Sequence, residues 1–117
     1  MNQLHLYILT LLFVLASSVQ AEGRGLTVRH YEYLKAQEAR DLTISVHAMR
    51  EAFMVANATL EAERRKPLYC QPKEMNLTLQ STLEILDEQM KITARSLDTP
   101  ISIVLLDGLK RTLPCRK

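Results

Sequence analysis

Residues 98–115 read DTPISIVLLDGLKRTLPC, and this stretch decides what kind of fold the chain can form. Thr99 followed by Pro100 is typical of a helix N-cap and first helical residue, and Pro114 marks a helix end. Between them, apolar side chains recur at the spacing of one helix face: Ile101, Leu105, Leu106, Leu109 and Leu113. The stretch therefore predicts a core helix that ends just before Cys115.

Two more helices are predicted upstream of this one. The first runs from about Asp41 to about Arg64, because six apolar residues share one face: Leu42, Val46, Met49, Phe53, Ala56 and Leu60. The second runs from roughly Thr78 to Ala94, with Ser81 and Glu84 at the spacing of a capping box near its start. Its apolar face consists of Leu79, Leu83, Leu86 and Met90.

Two shorter segments complete the pattern. Tyr31 and Leu34 stand at helical spacing, so this region is either a separate short helix or the start of the next one. Pro67 and Pro72 flank Cys70 and prevent a continuous helix there. The sequence thus predicts an all-α fold, a small single-domain helical bundle of three to four helices stapled by one disulfide.

Gly108 lies inside the last predicted helix, where glycine costs about 1 kcal/mol relative to alanine. Two interpretations remain open at this point. The position either tolerates glycine without a special reason, or it allows another backbone to approach closely, within the fold or across a dimer.

The N-terminus has the pattern of a secretory signal peptide. An apolar run covers Leu6 to Ala16, which is shorter than the ~20 residues that a membrane-spanning helix requires. Val19 and Ala21 form a small-x-small pair, so we expect cleavage after Ala21. Residues 1–21 are then the signal peptide and residues 22–117 the helical domain. An uncleaved membrane anchor is the alternative, since no Lys or Arg precedes the apolar run.

The two cysteines both lie in the predicted mature chain. A pair of cysteines in an exported protein usually forms a disulfide, and Cys70 with Cys115 is the one intramolecular pairing that two cysteines allow. Such a bridge would close a loop of about 45 residues, worth roughly 4 kcal/mol in the loop-entropy model. Two free buried thiols are the alternative.

Composition argues against several classes of function. The formal net charge is +2 at pH 7, which favours neither nucleic acid nor an anionic membrane as a partner. The sequence has no H-E-x-x-H, G-x-S-x-G or glycine-rich phosphate loop, and its cysteines lack zinc-site spacing. Asp41, Ser45 and His47 suggest a triad, but on a helix His47 is turned about 160° from Ser45. We therefore expect neither an enzyme nor a cofactor.

The basic run Arg64, Arg65 and Lys66 follows the first long predicted helix. It is either a solvated helix end, favourable beside the negative end of the helix dipole, or part of a loop that binds a partner. The candidate partner-binding residues are Arg64, Arg65, Lys66, Lys73 and Glu74. The sequons at Asn57 and Asn76 are interpreted as coincidental.

Three stretches together carry a resemblance to a known family: FMVANATL (53–60), KPLYCQPKEMNLTL (66–79) and DTPISIVLLDGLKRTLPC (98–115). They resemble the Rap/Tai-type immunity proteins of bacterial type VI secretion, over about Val28 to Cys115. In this resemblance Cys70 and Cys115 match the family's disulfide cysteines. Three further matches fall on the helices: Ala56 with Asn57, Pro100, and Gly108. Some members have another cysteine pair upstream. This chain lacks it, which implies an N-terminal helix held by packing alone.

The resemblance implies a function that spacing does not reveal. Such proteins bind a peptidoglycan-cleaving amidase effector in the periplasm and occlude its active site, often as dimers. The sequence-based expectation is therefore a periplasmic immunity-type binding protein with a protein partner, and with homodimerisation as a further expectation. The alternative is a small periplasmic chaperone or structural helical protein without an effector partner.

Overall fold

A computed structural model describes residues 25–116 of the chain. This part folds into four helices and contains no β-strand, which confirms the predicted small all-α bundle. The predicted signal peptide and its cleavage point lie outside the described residues. The helices are α1 (Val28–Ala36), α2 (Arg40–Ala62), α3 (Leu79–Ile92) and α4 (Ile101–Thr112).

The segment around Tyr31 is a helix of its own, α1, which settles the question left open by the sequence. Glu38 has φ of 50°, a left-handed conformation that ends α1 and turns the chain into α2. At the other end of α2, Arg64 has φ of 56°, and the Arg65 N–H donates to the Leu60 carbonyl oxygen at 2.8 Å. The helix therefore ends before the basic run, and Arg64 to Lys66 belong to the following loop.

Two predicted N-caps are wrong. The cap of α3 is Thr78, whose hydroxyl oxygen accepts a hydrogen bond from the Ser81 N–H at 3.1 Å, so the Ser81–Glu84 capping box does not form. At α4 the residue before the helix is Pro100, not Thr99, and no side chain caps it. Thr99 is engaged elsewhere, because its carbonyl oxygen accepts the Val28 N–H at 2.9 Å.

This contact belongs to a short antiparallel pairing that holds the start of α1 against the start of α4. The Ile101 N–H donates to the Leu26 carbonyl oxygen at 2.9 Å, and the Arg29 N–H donates to that of Leu97 at 3.0 Å. The expectation that α1 is held by packing alone is therefore wrong. Backbone hydrogen bonds fix it to the fold in addition to the buried ring of Tyr31.

An ion pair also links α1 to α3, between Lys35 Nζ and Asp87 Oδ1 at 2.9 Å. Burial raises the pKa of Asp87, while the nearby Lys91 opposes that shift and Glu88 adds to it. Both side chains of the pair are partly solvated, and such pairs contribute about 0–1 kcal/mol. The backbone pairing is thus the stronger attachment of α1.

The core lies where α3 and α4 pack together, with α2 covering one side. The apolar stripe predicted for α4 is buried, apart from Leu106, which is half-buried. On α2, Leu42 and Val46 are buried, but the later members of its predicted face are half-buried. Tyr69 and Leu77 are also buried, although both lie outside the helices in the connection between α2 and α3.

Gly108 marks a close approach of α4 to α3. A Cβ atom at this position would lie 2.9 Å from Ile85 Cγ2 and 3.2 Å from both Gln89 Cβ and the Ile85 carbonyl oxygen. Beside it, Arg111 Nε donates to Gln89 Oε1 at 2.9 Å. Of the two interpretations open from the sequence, close approach within the fold is therefore the one that the structure supports.

We expect Gly108→Ala to destabilise the domain, although alanine is the better helix former by about 1 kcal/mol. The added methyl meets a stiff β-branched side chain and a backbone oxygen, and such overpacking costs about 1–3 kcal/mol. Chemical denaturation would measure the change, with the exposed Ile103→Ala as a matched control expected to shift stability by less than about 0.5 kcal/mol. A Gly108→Ala variant more stable than wild type would contradict the close approach.

Candidate partner-binding surface

The connection between α2 and α3, residues 63–78, is fastened to the end of α4, and we call it the stapled loop. Cys70 and Cys115 form a disulfide across a sequence separation of 45, as predicted, with Cα atoms 4.8 Å apart. Next to the bridge, the Cys70 N–H donates to the Leu113 carbonyl oxygen at 2.8 Å. A covalent link and a backbone hydrogen bond therefore fix the loop at the C-terminal end of α4.

A buried amide fixes the same loop to α2. Asn57 is 8% exposed; its Nδ2 donates to the Tyr69 carbonyl oxygen at 2.8 Å, and its Oδ1 accepts the Leu68 N–H, also at 2.8 Å. One side chain thus satisfies a donor and an acceptor of the loop backbone. The residue pattern indicates only a glycosylation sequon at Asn57, and the family resemblance is the one sequence signal that marks this residue as part of the fold. The structure shows it as the clamp of the loop.

Tyr69 is the anchor of the stapled loop in the core. Its side chain is 2% exposed, and its hydroxyl group has no hydrogen-bond partner among the described residues. Burial raises the pKa of Tyr69, because the apolar surroundings disfavour the phenolate. The ring therefore acts as a neutral apolar wedge, and its backbone carbonyl makes the contact to Asn57.

The five candidate partner-binding residues all lie in the stapled loop and are all exposed; they are Arg64, Arg65, Lys66, Lys73 and Glu74. Arg65 pairs with Glu63 at 3.3 Å between Nη1 and Oε2, a contact between two solvated side chains. Lys66 and Lys73 line two different clefts. The structure therefore spreads these residues along the loop and does not gather them into one pocket.

The first cleft has a volume of about 420 Å³ and separates the start of the stapled loop from the end of α4. Its walls carry two lysines, Lys66 and Lys110, and no acidic residue; the rest of the lining is Pro67, Leu68, Leu113, Pro114 and Cys115. We call it the lysine cleft. Lys110 was not predicted as a site residue, because nothing in its own helical sequence indicates that it lines the same cleft as Lys66.

The second cleft has a volume of about 250 Å³ and lies between α2 and the stapled loop. Lys73 and Glu61 both line it, so it carries a cation and an anion. The remaining lining is Met54, Asn57, Ala58, Tyr69, Gln71 and Pro72. Opposite charges within one small cleft offset each other, so this cleft has no net preference for an ion of either sign.

The histidine of the triad that the sequence suggests is hydrogen-bonded to an arginine. His47 Nδ1 lies 3.1 Å from Arg50 Nη2 and accepts its hydrogen bond, because a guanidinium can only donate. Arg50 also pairs with Glu51 at 2.8 Å.

Over residues 25–116, no three His, Cys, Asp or Glu side chains are grouped as metal ligands would be. Nor does any helix in this range have the length and hydrophobicity needed to cross a membrane.

The outer face of α2 carries exposed apolar side chains. Ile44 and Val55 are 53% and 64% exposed, and Met54 is 40% exposed.

Comparisons with known protein families, with curated proteins and with solved structures find no match for this chain.

Proposed function

We propose that the chain is exported to the periplasm and acts there as an immunity-type binding protein. It would inhibit a peptidoglycan amidase effector by covering the effector's active site. The partner class comes from the resemblance over Val28 to Cys115, and the stapled loop is the surface that would make the contact.

The observation that carries the proposal is that this exposed, cationic loop is held rigidly. The disulfide fixes it to α4, Asn57 fixes it to α2, and Tyr69 anchors it in the core. A loop ordered before binding loses less conformational entropy on association, which is a general feature of tight inhibitors. Loops that a rigid scaffold holds in position commonly carry the residues that bind a partner.

The positions that carry the resemblance also support the proposal. Asn57 clamps the stapled loop, Gly108 allows α3 and α4 to approach, and the two cysteines join the loop to α4. Each of these residues therefore contributes to the packing of the stapled loop and the helices, as expected of residues that define a fold. The disulfide is also compatible with an oxidising compartment such as the periplasm.

A chaperone or structural role is the second candidate, and the exposed apolar face of α2 favours it. Ile44, Met54 and Val55 could bind unfolded chains or a second copy of this protein. Such a role predicts that the protein suppresses aggregation of an acid-unfolded client at pH 2–3. The inhibitor proposal predicts no such protection.

The proposal is tested by rescue of growth. Each candidate cell-wall hydrolase found among the genes beside this chain's gene would be directed to the periplasm of a host, with or without the full chain including its N-terminal segment. We expect the enzyme to lyse the host and the chain to restore growth. Arg64→Glu should reduce rescue, whereas Arg40→Glu should not, because Arg40 lies at the other end of α2, about 33 Å away along the helix.

Two outcomes would contradict the proposal. One is that the neighbouring genes encode no enzyme that damages the cell wall. The other is that such an enzyme is toxic and remains equally toxic when the chain is present in the periplasm at matched abundance.

A further inference from the structure

We propose that the lysine cleft is a carboxylate-binding site, and that the protein partner inserts an acidic segment between Lys66 and Lys110. This inference rests on the proposed function, because it names the chemistry of the partner that the stapled loop would contact. It adds Lys110 to the binding surface and assigns the partner a specific charge.

Neither lysine of the cleft has an anionic partner within the described residues. Six of the chain's basic side chains pair there with a carboxylate: Arg29, Lys35, Arg50, Arg65, Lys91 and Arg95. Lys66 and Lys110 form no such pair in residues 25–116, although both line one cleft. Two like charges that line one cleft repel each other, and a bound carboxylate would offset that repulsion.

Charge is distributed unevenly over the described residues. Segments 60–75 and 108–116, which meet at the disulfide, contain seven Lys or Arg residues against three Glu residues. The remaining described residues, 25–59 and 76–107, contain six Lys or Arg against nine Asp or Glu. The small net charge of +2 therefore conceals a basic end, and such a field would steer an acidic surface toward the cleft.

The lining of the cleft indicates which kind of anion it would bind. Pro67, Leu68, Leu113 and Pro114 give the cleft an apolar lining, against which the methylene groups of Asp or Glu can pack. An anionic membrane is bound by a larger group of cations over an open surface, and nucleic acid by a basic stripe. Two lysines in one recess match a single carboxylate better than either of these.

The cleft is also built to keep its shape. Cys115 forms part of its wall, and the disulfide joins that wall to the loop that carries Lys66. The hydrogen bond from the Cys70 N–H to the Leu113 carbonyl oxygen lies beside it at 2.8 Å. The backbone segments that carry the two lysines are therefore joined to each other before any partner arrives.

The test is a titration of the oxidised chain with an acetylated and amidated tetraglutamate peptide, in which the chemical shifts of the backbone amides report binding. We expect shifts concentrated at residues 66–68 and 110–115, no binding of the matched tetraglutamine peptide, and weaker binding as salt rises. Lys66→Gln/Lys110→Gln should weaken binding at least about fivefold. The double variant Arg29→Gln/Arg40→Gln, which removes the same charge from exposed positions outside the basic end, should weaken it less than about twofold.

Parallel titrations with phosphatidylglycerol vesicles and with a short DNA duplex test the other anions. The inference is overturned if either binds at the cleft more tightly than the peptide, if the tetraglutamine peptide binds equally well, or if the shifts fall outside the cleft.

Rescue of growth separates this inference from the proposed function. If the chain neutralises the amidase and Lys66→Gln/Lys110→Gln does so equally well, the partner does not bind through the lysine cleft, and the proposed function still holds. If tetraglutamate binds in the cleft but no amidase is neutralised, the function is wrong and the cleft stands.

Discussion

Replacing Cys115 by Ser is expected to lower the free energy of unfolding by about 4 kcal/mol. The disulfide closes a segment with a sequence separation of 45, and loss of the link returns that conformational freedom to the unfolded chain. A small domain has about 5–15 kcal/mol of stability in total, so the variant should lose a large fraction of the domain's stability. Denaturant titration of the wild type and the variant would measure the difference.

Two controls isolate the bridge from the substituted side chain. The double variant Cys70→Ser/Cys115→Ser should be about as unstable as Cys115→Ser alone, and wild type with reductant should resemble both. Equal denaturation midpoints for wild-type protein with and without reductant would show that the bridge contributes nothing to stability.

The second large effect is expected at Asn57. Asn57→Ala removes the amide that serves the Leu68 N–H and the Tyr69 carbonyl, and both backbone groups lie where the loop is partly or fully buried. A buried polar group left without its partner costs about 1–3 kcal/mol, so we expect a total loss of about 2–4 kcal/mol. Because the disulfide still holds the loop to α4, the helices should remain folded while the start of the loop loosens.

Asn76→Ala is the matched control, because Asn76 is an exposed asparagine in the same connection. It should change stability by less than about 0.5 kcal/mol. Amide hydrogen exchange would locate the effect, and faster exchange at Leu68 in Asn57→Ala is the specific sign of a lost clamp. Unchanged stability together with unchanged protection of that amide would contradict the role assigned to Asn57.

Helical periodicity predicts the three long helices well because each buries one continuous face. It fails toward the end of α2 for a geometric reason. With 23 residues, α2 is about 34 Å long, whereas α3 and α4 have 14 and 12 residues and are about 21 Å and 18 Å long. The predicted apolar face of α2 therefore extends past the helices that could cover it.

Other features depend on contacts that are distant in sequence. Thr99 has the chemistry of an N-cap, but the pairing with residues 26–28 uses its carbonyl group and moves the helix start. Tyr69 and Leu77 belong to the core without any helical repeat to reveal them. At the candidate site, Lys66 could be named from the sequence as part of a basic run, whereas Lys110 joins it only through the fold around the disulfide.

The most direct test of the central claim is a measurement of amidase activity with purified components. A peptidoglycan amidase, if a gene beside this chain's gene is found to encode one, would be assayed for release of peptides from isolated peptidoglycan as the oxidised chain is added. We predict that the chain abolishes this activity, and that Lys66→Glu/Lys110→Glu weakens inhibition at least about tenfold, or roughly 1.4 kcal/mol of binding free energy. Undiminished release of peptides in the presence of excess folded chain would contradict the account.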